Sequence, residues 1–176
     1  MILAELIIDS NYYNKLDIEG FSKMMSSPSY CYKFYWLEAI VQLISANRTE
    51  ATYDEIINKM IANAWFPVQE YHIHLSGIYG DGDVKDNLEK AVSRLYELTQ
   101  LPSNANEIQI MNKLAEFSDD KELHLYKTEL TKNVPYKALS GFANKGTEKI
   151  NLESSAGRMI AYYNKLSGSE LLLPYT

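Results

Sequence analysis

The amino-acid sequence predicts an all-α protein, a single compact domain of six to seven short helices over residues 1–176. Three observations carry this prediction. Apolar residues recur with the helical period in successive stretches, capping residues precede several of these stretches, and no convincing β-hairpin pattern is found. The length of 176 residues suits one domain. A basic segment over 132–176 forms its C-terminal part, and we expect the chain to be the N-terminal fragment of a longer protein.

The first helix is predicted from about Tyr30 to Ala46. Its apolar residues have the i, i+3, i+4, i+7 spacing of a helix that packs one face against a core. Serines at positions 26, 27 and 29, around Pro28, are candidate N-caps. The predicted buried stripe consists of Leu37, Ile40, Val41 and Ile44, widened by Trp36 and Leu43.

The second helix is predicted to open at a capping box, because Thr52 is followed three residues later by Glu55. Pro67 should end or kink this helix, since proline lacks the backbone N–H and clashes with the preceding turn. Segment 68–75 fits both a helix and a strand, and we favour a helix because its surroundings are helical. The predicted buried stripe consists of Ile57, Met60, Ile61 and Ala64.

A glycine–aspartate loop over 77–83 should precede a third helix. That helix is predicted from about Val84 to Thr99, with acidic residues at its start, where the helix dipole favours them. Its predicted buried face consists of Leu88, Ala91, Val92 and Leu95. The helices at 30–46, 53–65 and 84–99 suggest a winged-helix-like trihelical core, although no β-wing is found.

The C-terminal half is predicted to hold the remaining helices. Residues 101–104 break the chain, and Ser103 or Asn104 should cap a helix that runs through Phe117. Asp119 or Asp120 should cap the next helix, which ends near residue 132 and is interrupted at position 135 by a proline. A last helix is predicted near 154–166.

The formal net charge of −6 is unevenly distributed. Residues 1–88 hold six Lys/Arg and twelve Asp/Glu, whereas residues 121–165 hold eight Lys/Arg and four Asp/Glu. The chain should therefore repel nucleic acid at long range except over its C-terminal third. A single cysteine, Cys31, allows neither an internal disulfide nor a cysteine-based zinc site. Without a spanning apolar run or a signal peptide, we expect a cytoplasmic protein with no membrane partner.

His72 and His74 are the candidate metal ligands. On a strand the two rings would point to one face, whereas on a helix they would diverge by about 200° and could not share an ion. Two further ligands would be required in either case, and the remaining histidine, His124, is distant in sequence. We therefore expect no metal, and two partly buried histidines at the rim of an aromatic cluster.

No group of residues forms a recognisable catalytic constellation. The loop at 77–83 lacks the order of a calcium loop and the lysine of a phosphate-binding loop, and no serine occupies a nucleophile elbow. The prediction is therefore no catalytic residue and no cofactor in this chain. The candidates for nucleic-acid contact are basic residues interleaved with aromatic residues near the C-terminus. They are Lys132, Lys137, Lys145, Lys149 and Arg158.

Five blocks of residues occur in a distinctive order. They are Ser29-Tyr30-x-Tyr32-Lys33-x-x-Trp36-Leu37-x-Ala39-Ile40; Asp54-Glu55-Ile56 with Met60-Ile61 and Ala64-Trp65; Pro67-Val68 with Tyr71-His72-Ile73-His74-Leu75-Ser76-Gly77; Leu101-Pro102-Ser103-Asn104; and Val134-Pro135-Tyr136-Lys137-x-Leu139. In this order the blocks resemble the N-terminal region of bacterial HNH endonuclease-like proteins of the restriction or defence type. The resemblance covers most of residues 29–140, and none of the blocks is a catalytic signature.

The resemblance implies a nuclease module of the ββα-metal type near the C-terminus of such proteins, where a histidine activates water. This chain has no histidine after His124 and no cysteine pair, so it should not cleave DNA itself. The leading hypothesis is a non-catalytic helical module that helps to bind or position duplex DNA. The alternative is a protein-interaction or dimerisation module, whose partner is a second copy or the missing nuclease half. The negative charge and the fourteen tyrosines favour this alternative.

Overall fold

The computed structural model describes residues 20–22, 31–75 and 85–143. These ranges contain no strand, so the all-α prediction is confirmed for them. Besides a short helical stretch at 20–22, they contain five helices. The helices are α1 (Tyr32–Ser45), α2 (Tyr53–Tyr71), α3 (Asn87–Thr99), α4 (Glu107–Glu116) and α5 (Lys121–Ala143). The loop predicted at 77–83 and the helix predicted near 154–166 lie outside the described residues.

The contacts divide the chain into two units. One unit consists of residues 28–138, and the other combines residues 1–27 with 139–176. The first unit holds helices α1 to α4 and most of α5, and the rest of this section describes it. The prediction of a single domain with a basic segment over 132–176 stays a prediction. No helix in the described part of the chain is long and apolar enough to cross a bilayer.

Helix α2 is the centre of the 28–138 unit, because α1, α3 and α4 all pack against it. Its predicted stripe is confirmed as fully buried, and Trp65 joins that stripe. Burial of Ile57, Met60 and Ile61 stabilises the fold by roughly 1.5–3 kcal/mol each relative to an exposed position. The predicted face of α3 is also fully buried, and it consists of Leu88, Ala91, Val92 and Leu95. The proposed winged-helix-like arrangement of the first three helices stays a prediction.

The buried face of α1 differs from the predicted stripe. Ile40 is buried as expected, but Val41 and Ile44 are 52% and 58% exposed. Helix α1 is apolar around most of its circumference, so its helical period alone cannot select the side that meets α2. Packing selects the side that carries Tyr32, Trp36, Ala39, Ile40 and Leu43. The serines predicted to cap this helix lie outside the described residues.

The start of α2 confirms the predicted capping box. Thr52 Oγ1 accepts a hydrogen bond from the Glu55 backbone N–H at 3.2 Å, and Glu55 Oε2 accepts one from the Thr52 N–H at 2.7 Å. Helix α2 then continues through Pro67 to Tyr71, so the proline does not end it. Buried side chains on both sides of the proline, Trp65 and Val68, hold the two halves of the helix against the same core.

Segment 68–75 is helical only in its first half. Helix α2 ends at Tyr71, and His72 adopts the left-handed conformation with φ of 51°. The Ile73 N–H donates to the Pro67 carbonyl at 3.3 Å, which satisfies one of the last carbonyls of the helix. The predicted helix is therefore right for 68–71 and wrong for 72–75.

The later helices begin and end at other residues than predicted. Asp86 caps α3, which begins at Asn87 rather than near Val84. Asn106 caps α4, rather than Ser103 or Asn104, because residues 102–105 first form a turn closed by the Ala105 N–H and the Pro102 carbonyl. The predicted Asp120 cap is confirmed, since its carboxylate accepts from the Leu123 N–H. Helix α5 then continues beyond 132 and through position 135, where buried residues flank the proline as they do in α2.

Asp120 should stabilise the fold in a pH-dependent way. The Arg94 guanidinium donates to both of its carboxylate oxygens, at 3.1 and 2.8 Å, and lowers the pKa of this carboxyl from 3.8 to about 2. A carboxyl with a lowered pKa contributes stability above its unfolded pKa and loses it as the pH falls through the folded pKa. The contribution should thus be complete above about pH 5 and fall away between about pH 4 and pH 2.

The measurement is the free energy of unfolding in urea for the wild type and Asp120→Asn. The difference between the two proteins should be larger at about pH 6 than at about pH 3. Asparagine at this position would retain the ability to cap α5, so the substitution mainly removes the charge. Asp119→Asn is the matched control, because Asp119 is an exposed neighbour. An equal difference at both pH values would contradict the role of the Arg94 pair.

Candidate functional site

The first candidate surface is the side of α1 that does not meet α2. It consists of Phe34, Leu37, Val41 and Ile44, which we call the outer face of α1. Three of these side chains are exposed and Leu37 is half-buried. At 100° per residue the four positions fall within an arc of about 80°. Their i, i+3, i+7, i+10 spacing is that of a coiled-coil seam.

The second candidate surface is an open cleft of about 390 Å³, which we call the α2–α3 cleft. It lies between the end of α2, the segment that follows it and α3. The cleft has an apolar part formed by Val68, Ile73 and Tyr96. Its remaining lining is polar and consists of Gln69, His72, His74, Lys85, Glu89, Ser93 and Glu97.

Glu89 is a buried carboxylate at the base of this cleft, and only 2% of its surface is exposed. Glu89 Oε1 lies 3.0 Å from His74 Nδ1, and Glu89 Oε2 accepts a hydrogen bond from the Leu75 N–H at 3.1 Å. Because an ionised carboxylate can only accept, the proton on His74 belongs on Nδ1. Nε2 is then the ring nitrogen that can accept, and none of the hydrogen bonds among the described residues uses it; 59% of the His74 side chain is exposed.

The opposite side of the cleft carries a cation and an aromatic ring. Lys85 Nζ donates to Ser93 Oγ at 3.1 Å. The Tyr96 ring is partly exposed and lies 6.4 Å, centroid to centroid, from the buried ring of Trp65. Next to Lys85, Asp86 caps α3 with one oxygen, and burial raises the pKa of its carboxyl. Burial of the Cys31 thiol raises its pKa, and the nearby negative charge of Asp86 raises it further.

The structure places His72 and His74 in one cleft, and no third metal-ligating side chain among the described residues joins them. Segment 72–75 is neither strand nor helix, and both histidines are exposed, so the predicted partial burial is wrong. Among residues 20–22, 31–75 and 85–143, no three His, Cys, Asp or Glu side chains come together as metal ligands would. The prediction that the chain uses no cofactor stays a prediction.

The predicted nucleic-acid residues are only partly within the described ranges. Lys132 is exposed and pairs with Glu129 at 2.9 Å, and Lys137 is half-buried. Lys145, Lys149 and Arg158 lie outside the described residues. Several other cations of the unit form ion pairs at 2.6–3.0 Å, which lowers the positive potential they offer to phosphate. These pairs are Arg48–Glu55, Lys59–Glu107, Lys113–Glu116, Lys127–Asp54 and Arg94–Asp120.

Several of the five sequence blocks described above contact one another inside the fold. Trp65 Nε1 donates to the Pro102 carbonyl at 3.0 Å, and the Ser103 hydroxyl donates to the Glu70 carboxylate. The Leu75 carbonyl accepts a hydrogen bond from the Cys31 N–H at 3.4 Å. Residues of these blocks therefore help to hold the helices together.

Two features of these surfaces were missed by the sequence interpretation. The seam spacing from Phe34 to Ile44 was present in the sequence, but the same residues also fitted a buried stripe. The contact between His74 and Glu89 joins a segment after α2 to a helix beyond an intervening loop, and no local pattern signals such a pairing.

In the comparisons with known proteins, no family model, no curated protein and no solved structure matches this chain.

Proposed function

We propose that the chain is a non-catalytic helical module that self-associates through the outer face of α1. The single observation that supports this proposal is the exposure of Phe34, Val41 and Ile44 on one side of a helix whose other side is already packed. A helix that is apolar on both faces is expected to be covered on both. Leaving such a row in water would also create an aggregation hazard.

A second copy of the chain is the partner that best fits this face. The seam spacing from Phe34 to Ile44 is self-complementary, so the same four side chains can interdigitate with themselves about a two-fold axis. The face has little charge to select a different partner, with Glu38 and Ser45 at its exposed edge. Four side chains bury less than the ~800 Å² per partner of a standard interface, so we expect a weak dimer with Kd above about 10 μM.

The test is sedimentation velocity of the wild type and of Val41→Glu/Ile44→Glu between about 10 and 500 μM. The wild type should shift from monomer towards dimer across this range, and the double variant should stay monomeric. Ile108→Glu is the matched control, because Ile108 is 72% exposed on α4 and lies outside the outer face. A wild type that stays monomeric at the highest concentration, or an Ile108→Glu variant that is equally impaired, would refute the proposal.

A second candidate function is DNA positioning within an HNH-type endonuclease. The order of the sequence blocks, which resembles that of such proteins, favours it. The excess of basic residues over 121–165 supplies the charge that phosphate contact requires. In this proposal Lys132, Lys137, Lys145, Lys149 and Arg158 contact the backbone of duplex DNA, and catalysis belongs to another part of the parent protein.

Fluorescence anisotropy of a labelled duplex at about 50 and 200 mM salt tests this second candidate. Affinity should fall steeply with salt, and changing the four lysines to glutamate should remove most of both the affinity and the salt dependence. Lys59→Glu/Lys113→Glu is the control, since these lysines lie on α2 and α4 and are already paired with glutamates. Salt-independent binding, or no binding at the lower salt, would count against DNA positioning by this chain.

A further inference from the structure

We infer that the α2–α3 cleft is a binding site for a small organic anion that carries a ring and a hydrogen-bond donor. A nucleoside monophosphate and a hydroxylated aromatic carboxylate both have this chemistry. The site is separate from the outer face of α1, so it does not depend on self-association. Three properties of the cleft define the ligand: a cation with unused donors, an oriented acceptor nitrogen and an apolar wall.

The charge of the ligand follows from Lys85. The ammonium group has three N–H donors, and among the described residues its contact with Ser93 Oγ uses one of them. The two carboxylates of the cleft are already engaged. Glu89 accepts from His74 and Leu75, and Glu97 pairs with the Arg94 guanidinium at 3.2 Å. The remaining N–H donors of Lys85 can therefore bond to an acceptor on a ligand. A phosphate or carboxylate oxygen is the best acceptor for an ammonium group.

The hydrogen-bond donor of the ligand follows from His74. The buried carboxylate of Glu89 holds Nδ1 as the protonated nitrogen, which presents Nε2 as an acceptor. Pairing a histidine with a buried carboxylate fixes both the tautomer and the orientation of the ring, as it does behind metal-bound histidines. A ligand hydroxyl or amine can donate to this nitrogen. Ser93 and the Gln69 amide add further polar groups to the same lining.

The ring of the ligand follows from the apolar wall. Tyr96 offers a partly exposed aromatic face that is backed by Trp65, and Val68 and Ile73 continue the apolar surface. Flat rings stack on such faces. The volume of about 390 Å³ lies in the range of small-molecule sites, and the openness of the cleft to solvent predicts binding in the micromolar to millimolar range.

The experiment is an NMR titration of the ¹⁵N-labelled chain, observed at the Trp65 indole N–H. This proton is hydrogen-bonded to the Pro102 carbonyl, whereas the buried Trp36 indole N–H has no hydrogen-bond partner in the described part of the chain, so the two signals should differ. The probes are adenosine 5′-monophosphate, 4-hydroxybenzoate, adenosine and inorganic phosphate. Saturable shifts with at least one of the two ring-bearing anions support the inference, and comparing those two separates phosphate from carboxylate recognition.

Lys85→Gln should weaken the binding of the preferred anion by at least about tenfold, because it removes a charge-assisted contact. His74→Ala should weaken it too, and Lys113→Gln, on α4 outside the cleft, should leave it unchanged. Three outcomes would overturn the inference: no saturable shift with either anion, adenosine binding as tightly as its monophosphate, or Lys85→Gln binding as tightly as the wild type.

Discussion

Replacing Trp65 with alanine should lower the free energy of unfolding by about 3–5 kcal/mol. That loss approaches the total stability of a domain of this size, so the variant should be largely unfolded or close to it. The side chain is fully buried in α2 and its ring contacts Tyr96 of α3. Its indole N–H reaches the Pro102 carbonyl in the turn before α4. One residue thus joins three consecutive parts of the helical unit.

Two further variants separate the reasons for this loss. Trp65→Phe keeps a buried ring but removes the indole donor and part of the volume, so it should cost less than Trp65→Ala. Phe66→Ala is the matched control, because Phe66 is the adjacent aromatic residue on α2 and is 43% exposed. Its cost should stay below about 1 kcal/mol. Urea unfolding followed by circular dichroism measures all three, and a Trp65→Ala cost no greater than that of Phe66→Ala would contradict this account.

Local sequence signals predicted the features that depend only on neighbouring residues. The Thr52–Glu55 capping box forms within one turn of helix, and the structure has it as predicted. The same holds for Asp120, whose carboxylate accepts from the Leu123 N–H at 2.8 Å. The buried faces of α2 and α3 were also predicted, because each of those helices has one clearly apolar side and one clearly polar side.

Features that depend on tertiary packing were not predictable from the same signals. Pro67 and Pro135 each lie inside a helix, because buried residues on both sides of the proline offset the lost backbone hydrogen bond. The orientation of α1 depended on which of two apolar faces α2 would cover. The residues of the α2–α3 cleft come from separate segments, and only the fold brings Lys85, His74 and Tyr96 to one lining.

Removing the Glu89 carboxylate should also lower the free energy of unfolding substantially, because this carboxylate is buried and accepts two hydrogen bonds. In Glu89→Ala, the buried Leu75 N–H loses the carboxylate oxygen that accepts from it, and His74 loses the group that orients its ring. An unsatisfied buried donor and a broken buried contact together should cost about 2–4 kcal/mol in the free energy of unfolding. Leu75 is fully buried, and its carbonyl accepts a hydrogen bond from the Cys31 N–H. The substitution should therefore also destabilise the contact between segment 72–75 and the start of α1.

Glu89→Gln distinguishes the backbone role of this residue from its effect on His74. The glutamine carbonyl can still accept from the Leu75 N–H, so the cost should fall below about 1.5 kcal/mol. The amide can donate to His74 Nδ1, which would move the imidazole proton to Nε2, and ¹⁵N chemical shifts of the ring report that exchange. Glu97 is an exposed residue on α3, and Glu97→Gln should change neither the free energy of unfolding nor the position of the His74 proton. An unchanged His74 tautomer in Glu89→Gln would show that the carboxylate does not orient this ring, and the acceptor proposed for the cleft would lose its basis.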